Sequence, residues 1–409
     1  MKLAYLTTLG ALALSTTAAH SGGWETGRLS TAFLYQEGSY LESSFAGLNY
    51  SINGKIQDDT THKMAKDQRR MSASGKFQIG NLDIGLTLFG SGAIQMDGQA
   101  AAADPSACGG EVYNLGVAGA TYDAALAAYA ADPSLLADLQ AAGAGVVAVQ
   151  TAMADVCSYV PSADVKVDTN ALIARYRFNE NFSVIGGVRQ AKIKPSSVTT
   201  MAASYAINST SKTGMVYGIA YERPDIALRL EVLRSEGIDI GLEGSATASA
   251  ATPLTGTMVV PEATTVNFQT GIAKDTLLMA SAHKVGWGVS QIEVQVPAME
   301  ALNIASEFSN STSYSLGLGR KLSEQTSASL TYSWENGSKS TSGSAFSMSN
   351  GSKTLSAGVS HKINALTLSG GISYTKVGDV EVTSATTGLT SSYTGNSVTA
   401  VGVKIGYNF

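Results

Sequence analysis

The sequence predicts an all-β fold: a transmembrane antiparallel β-barrel of about 14 strands, with an N-terminal plug and a partly helical extracellular loop insertion. Three observations predict it. Apolar residues make up 44% of the 409 residues and charged residues only 14%, well below the ~25% of soluble domains. From about residue 40 onward, apolar and small polar residues alternate with a period of two. The connections between these runs alternate between tight turns and long loops, as in a barrel with periplasmic turns and external loops.

Taken in order, residues 1–19 read as a secretory leader. Lys2 supplies the positive start, Leu3–Leu14 the apolar stretch and Thr17-Ala18-Ala19 the cleavage site. Beyond it no run reaches the ~18 unbroken apolar residues of a spanning helix. Residues 20–39 carry Trp24, Phe33, Leu34 and Tyr35 among Gly22, Gly23 and Gly38. Closing the sheet at Phe409 needs a strand near Tyr40–Gly54, which leaves residues 20–39 at the periplasmic mouth. Their aromatic side chains gain by burial, so the segment is expected to fold inward as a plug. Residues 40–409 form the barrel. Leu172, Ala174, Tyr176 and Phe178 oppose Arg175 and Arg177; Leu366, Leu368, Ile372 and Tyr374 oppose Thr367, Ser369 and Ser373. Val401, Val403, Ile405, Tyr407 and Phe409 alternate with Gly402, Lys404, Gly406 and Asn408. In the hairpin Tyr217–Val232, Tyr217, Ile219, Tyr221, Ile226, Leu228 and Leu230 are expected toward lipid, and Arg229 and Glu231 inward. Leu277–Trp287 alternates poorly and its faces stay unassigned.

Tight turns fall at Gly80-Asn81, Asn179–Asn181, Arg223-Pro224, Lys274-Asp275, Ser323-Glu324 and Ile363-Asn364. Long polar loops are expected near 54–67, 93–165, 194–210, 237–263, 288–309, 337–351 and 378–395. The 93–165 insertion contains an Ala-rich amphipathic helical stretch, Ala124–Val149, interrupted at Asp132-Pro133. Cys108 and Cys157 flank it and are expected to pair in an oxidising compartment. A secreted β-sandwich would share the period of two. It would not require terminal aromatics or strands of ~10 residues throughout.

Ser21–Phe45, Tyr217–Val232, Phe268–Trp287, Thr312–Ser323 and Val401–Phe409 resemble, in order along the mature chain, FadL-like outer-membrane transporters for long-chain fatty acids and other hydrophobic compounds. The resemblance is to the short-hatch branch. It implies a 14-stranded barrel in a Gram-negative outer membrane, a hatch closing the lumen, passive uptake, and sideways exit at an inward-kinked strand. The Asn-Pro-Ala hatch motif of better-known members is absent here, so the hatch mechanism carries over in outline only.

Charges on the lipid face cost ~2–4 kcal/mol near the midplane, so Arg175, Arg177, Arg189, Arg229, Glu231, Glu335 and Lys404 are expected in the lumen. The arginines could hold a fatty-acid carboxylate in bidentate fashion or pair with Glu to stiffen the interior. Phe33, Leu34 and Tyr35 could contact an acyl chain or pack on the wall. Leu115, Tyr122, Leu126, Tyr129, Leu135, Leu136 and Leu139 of the insertion could form an external apolar groove or cap the barrel. Gly85 and Gly90 are the candidate kink positions for a lateral exit. A net charge of −5 without a basic stripe argues against nucleic acid. His20, His62, His283 and His361 lack triad spacing, and no phosphate loop, zinc spacing or dinucleotide fingerprint occurs. No enzyme activity, cofactor or metal is therefore expected. The expected partners are hydrophobic small molecules, outer-membrane lipid and lipopolysaccharide, and the assembly machinery reading Phe409; the chain is expected to be monomeric. A porin for polar or anionic solutes is the alternative, and a receptor or adhesin barrel a less favoured one.

Overall fold

The computed structural model describes residues 23–409 except 57–58, 61–62, 99–104, 157–160, 201–202, 248–250, 290, 298–302, 307, 338–345 and 384–389. The expected leader lies outside the described residues. So do Cys157 and the Cys108 side chain, and with them the expected disulfide.

Tight turns set the up-and-down order. Gly80 (φ 58°), Asp275 (φ 59°) and Asn364 (φ 57°) take the left-handed backbone that two-residue hairpin turns need. The strands they separate are β1 (Tyr40–Ser51), β2 (Gln68–Ile79), β3 (Leu82–Met96), β4 (Ser162–Arg177) and β5 (Phe182–Ile193). There follow β6 (Thr210–Arg223), β7 (Leu228–Ser235), β8 (Ala263–Ala273), β9 (Thr276–Val285) and β10 (Ser311–Lys321). β11 (Thr326–Glu335), β12 (Ser352–Ile363), β13 (Leu366–Val377) and β14 (Ser397–Asn408) complete the set. Each pairs antiparallel with the next, and β1 pairs with β14 from Tyr40↔Asn408 to Ser51↔Ser397. The result is a closed 14-stranded barrel. Closure pairs strand backbones with one another, the condition for strands to cross lipid.

The outer face carries the apolar half of the alternation: Phe45, Met71, Leu86, Leu172, Leu316, Leu355 and Val403 are all exposed. Aromatic rings border this belt at both ends. Phe77, Tyr407 and Phe409 cluster at the turn end, and Tyr314, Tyr332 and Trp334 stack at the loop end. Such girdles mark the two membrane interfaces. β9 acquires its faces here: Leu277, His283 and Val285 are buried inward, and Lys284 is exposed. Both faces carry apolar residues, since inward Leu277 packs on Ala227; that is why the alternation was weak.

Two sequence expectations are corrected. Ile226 belongs to a 3-10 turn, Pro224–Ile226, because the left-handed Ala227 (φ 52°) delays the strand to Leu228. Residues 237–263 are not a polar loop but a hairpin, Ile238–Thr247 with Ala251–Val260, that extends the wall beyond the belt. Its Ile238, Ile240, Leu242, Leu254 and Met258 turn inward and join Trp24, Tyr50, Trp287 and Phe308 in one apolar cluster at the loop end. The helical insertion is a hairpin of α1 (Pro105–Ala131) and α2 (Leu136–Val156). Leu115, Tyr122, Tyr129, Leu135 and Leu139 are half-buried, Leu126 and Leu136 exposed, and Tyr122 packs on Gly143. The half-buried positions recur at helical spacing and face the companion helix. No side chain described in this hairpin is fully buried.

Candidate functional site

The plug occupies the lumen in two parts. The lower part, at the turn end, is a 3-10 turn, Ala32–Tyr35, whose Phe33, Leu34 and Tyr35 are buried. Gly85 on β3 makes room for it: a Cβ there would overlap the Phe33 ring and crowd Leu34 Cδ2. Tyr35 lies between two guanidinium groups, Arg175 at 4.0 Å and Arg229 at 4.1 Å from its ring centre. This is a doubled cation–π contact. Its hydroxyl donates to Glu231 Oε2 at 2.6 Å, and Thr31 Oγ1 (2.7 Å) and Asn267 Nδ2 (2.9 Å) donate to Glu231 Oε1. The carboxylate is 1% exposed, so these donors stand in for the water it loses. Burial, then the Glu231 charge, raises the Tyr35 phenol well above its ordinary range; Arg229 and Arg175 oppose the rise. Lys76 Nζ donates to Leu34 O (3.0 Å) and Asp83 Oδ1 (2.9 Å), and Arg175 bonds Ser183 and Glu222.

The upper part runs along β3 as an added strand fragment. Thr26 N donates to Ser91 O at 2.9 Å and Ala93 N donates to Trp24 O at 2.9 Å. The contact is close enough that a Cβ on Gly92 would overlap Trp24. Glu25 contacts His283 Nε2 (3.2 Å) and Arg28 Nε (3.2 Å), while Arg28 also reaches Ser313 (2.8 Å). Trp24 meets Trp287 edge-on at 5.3 Å, and Trp287 meets Phe308 at 5.9 Å.

At the same place the wall opens. The β3–β4 register shifts between Gly90 and Gly92, leaving Ser91 as the extra residue of a bulge. The β2–β3 ladder ends at Ser72↔Phe89 and is not resumed until the Ala65↔Met96 bridge. Between these points β2 and β3 enclose a cavity of about 590 Å³, lined by Arg69, Arg70, Met71, Gly90, Gln95 and Lys166, with Thr26 of the plug on its inner side. The exposed side chains below it, Met71, Leu88 and Leu172, belong to the apolar belt. Those above are charged, including the pairs Lys166–Asp164 (2.9 Å) and Lys194–Asp168 (2.7 Å). The window therefore sits at the border between the apolar belt and the charged rim.

Solved structures share the fold of this chain. The chain is similar to a FadL homologue of Pseudomonas aeruginosa, with a TM-score of 0.69 at 10% identity over 92% of each chain. The fold is FadL-like. The toluene transporter TbuX of Ralstonia pickettii gives a TM-score of 0.58 at 10% identity over 97% of this chain and 98% of that one. The toluene transporter TodX of Pseudomonas putida gives 0.56 at 12% identity over 95% of each. No protein-family model matches the chain, and no curated protein matches it in sequence.

Within this FadL-like barrel the residues singled out in the sequence separate into groups. Phe33, Leu34, Tyr35, Arg175 and Arg229 meet at the lower plug. Arg177 lies at the turn end, donating to Gly80 O at 2.8 Å and 3.7 Å from Asp83. Arg189 is apart, beneath the upper plug, donating to Glu236 O (2.5 Å) and Pro261 O (3.1 Å). Lys404 pairs with Glu42 at 3.1 Å, and Glu335 is buried. Gly85 is not a kink: its pairings with Lys76 and Ile173 are unbroken, and its role is to seat Phe33 and Leu34. The irregularity begins at Gly90. The sequence reading missed Lys76 and Asp83, an inward pair of opposite charge near the Gly80-Asn81 turn, on the face away from the exposed Phe77 and Ile84. It gives Trp24 and His283 no contact in the site, and it missed Arg70, which bonds Thr26 O and Tyr50.

Proposed function

We propose that this chain is an outer-membrane passage for hydrophobic compounds, with long-chain fatty acids as its cargo, and that it belongs with the FadL-like transporters. The observation that carries the proposal is the window between β2 and β3, where wall, plug and lipid boundary coincide. Cargo would collect on the exposed apolar loops, pass the apolar cluster at the loop end, and leave sideways beside Thr26 into the outer leaflet. A sideways exit suits an apolar molecule, because it never has to cross the polar lower lumen or water. The neighbouring TodX and TbuX barrels are named as toluene transporters, which supports hydrophobic cargo in general; the fatty-acid assignment rests on the sequence resemblance and on the lumenal arginines. A polar-solute porin fits less well, because the plug and its partners Lys76, Arg175 and Arg229 fill the lower lumen.

Oleate uptake in a strain lacking its own transporter tests the proposal. The intact chain is expected to restore uptake above the empty strain, and proteoliposomes carrying it are expected not to swell in small sugars. Deleting Ser91 removes the bulge residue and lets β3 pair continuously; uptake should fall at least tenfold with the barrel still folded. Unchanged uptake in that variant would overturn the lateral exit, and sugar swelling without oleate uptake would overturn the proposal as a whole.

A further inference from the structure

The outer wall carries a pair of like charges that strand packing does not explain. Lys353 on β12 and Lys376 on β13 stand directly opposite one another in the ladder. The adjoining Thr354 and Thr375 are buried on the lumenal face, hydrogen-bonded to each other at 2.9 Å. The alternation therefore turns both lysines outward, and both are exposed. Residues directly opposite have Cβ atoms about 4.5–5.5 Å apart, and like charges so placed destabilise the sheet. Neither ammonium makes a hydrogen bond or ion pair among the described residues. The rim near the window differs, since Lys166 pairs with Asp164 there and Lys194 with Asp168. The row that holds the two lysines contains no carboxylate: on successive strands it runs Tyr314, Trp334, Lys353, Lys376, Ser397 and Ser51.

The surroundings fix the level of the pair. The next outward residues toward the belt are Leu355 and Tyr374, themselves directly opposite, and then Ile372; all three are exposed. Beside Lys353 stands Trp334, stacked with Tyr314 and Tyr332 in the loop-end girdle. Such rings gather at the depth of lipid head groups. Two unpaired cations thus lie at that depth with an apolar ladder directly beneath them. We infer that Lys353 and Lys376 form a binding site for the phosphate of a phosphorylated lipid in the outer leaflet. One phosphate set between the two ammonium groups accepts from both and removes their repulsion. The acyl chains run down over Leu355, Tyr374 and Ile372, a surface that free phosphate cannot use. A lipid held there pins β12 and β13 at one depth, independently of what passes the lumen.

Native mass spectrometry of the whole barrel released from detergent micelles tests the site. The probes are lipid A with its phosphates, the same lipid after their removal, and inorganic phosphate. Lipid A should bind more tightly than its dephosphorylated form. Lys353→Ser or Lys376→Ser should each weaken lipid A binding about fivefold, and the double substitution about 25-fold, the size expected of one lysine per step at a membrane surface. Replacing both by arginine keeps the charges and should preserve binding, which covers the case in which the double serine variant misfolds. Lys284→Ser removes an exposed rim lysine that faces Thr264 and Thr312 rather than a second cation, and should leave binding unchanged. Equal affinity of wild type for the two forms of the lipid, or an unaltered affinity in the double serine variant, would overturn the site. A loss of the same size with Lys284→Ser would replace it with diffuse attraction. Inorganic phosphate bound as tightly as lipid A would overturn the lipid as occupant.

Discussion

Tyr35 concentrates the interactions of the lower plug in one side chain. Its ring separates two cations and its hydroxyl serves a buried carboxylate, so the Tyr35→Phe change keeps the ring contacts and removes one charge-assisted hydrogen bond. Glu231 retains Thr31 and Asn267, and a loss of about 1.5–3 kcal/mol is expected in urea titrations of the barrel refolded in vesicles. The same residue makes stability depend on alkaline pH. Burial, and then Glu231, hold the folded phenol well above its unfolded value of about 10. The contribution of a raised group is complete below the unfolded value and is lost as pH rises toward the folded one. Wild type should therefore lose stability relative to Tyr35→Phe from about pH 10 upward, and parallel curves for the two would show that the phenol is not shielded. None of this pairing was legible in the sequence. The aromatic run Phe33–Tyr35 signalled burial, but its partners lie on β4 and β7, far along the chain, and only the closed barrel brings them together.

Among the elements, β3 holds the window open. Gly92 gives the plug its approach: an added Cβ would overlap the Trp24 ring, whereas at Gly47 on β1 it would meet nothing within 4 Å. Gly92→Ala is expected to displace the Trp24 segment at a cost of about 1–3 kcal/mol. Faster amide exchange at Thr26 and Gly27 would report it, and Gly47→Ala should leave those amides unchanged. The position of the irregularity was only partly readable. Gly85 and Gly90 look alike in a strand rich in glycine, and three-dimensional packing alone distinguishes a residue that seats Phe33 from one that starts a bulge. The hairpin at 237–263 was different: Ile238, Ile240 and Leu242 already alternate, so its strand character was present in the sequence but masked by the polar residues between them.

At the scale of the whole molecule, the period of two carries nearly everything. Strand number, the sidedness of turns and loops, and the inward charges all follow from it, because lipid and lumen impose opposite chemistry on successive residues. It does not reveal depth, and depth is testable. Val403→Arg places a cation within the belt, between Phe45 and Gly370 on the neighbouring strands, and should cost ~2–4 kcal/mol on unfolding. Thr399→Arg, nearer the loop-end rim on the same strand, should cost ~0–1 kcal/mol. Equal penalties at the two positions would misplace the belt.

The backbone bonds from Trp24 and Thr26 to Ala93 and Ser91 also bear on solubility. In the intact chain the plug is what covers this stretch of β3. A protein shortened by its first 39 residues would present an unpaired strand margin at the membrane surface, which is a template for another copy. The expected defect of such a truncation is self-association before leakiness: light scattering in detergent should show oligomers that added peptide spanning residues 23–36 disperses. On this view the N-terminal segment acts as a built-in chaperone for the barrel wall as well as a stopper for its lumen.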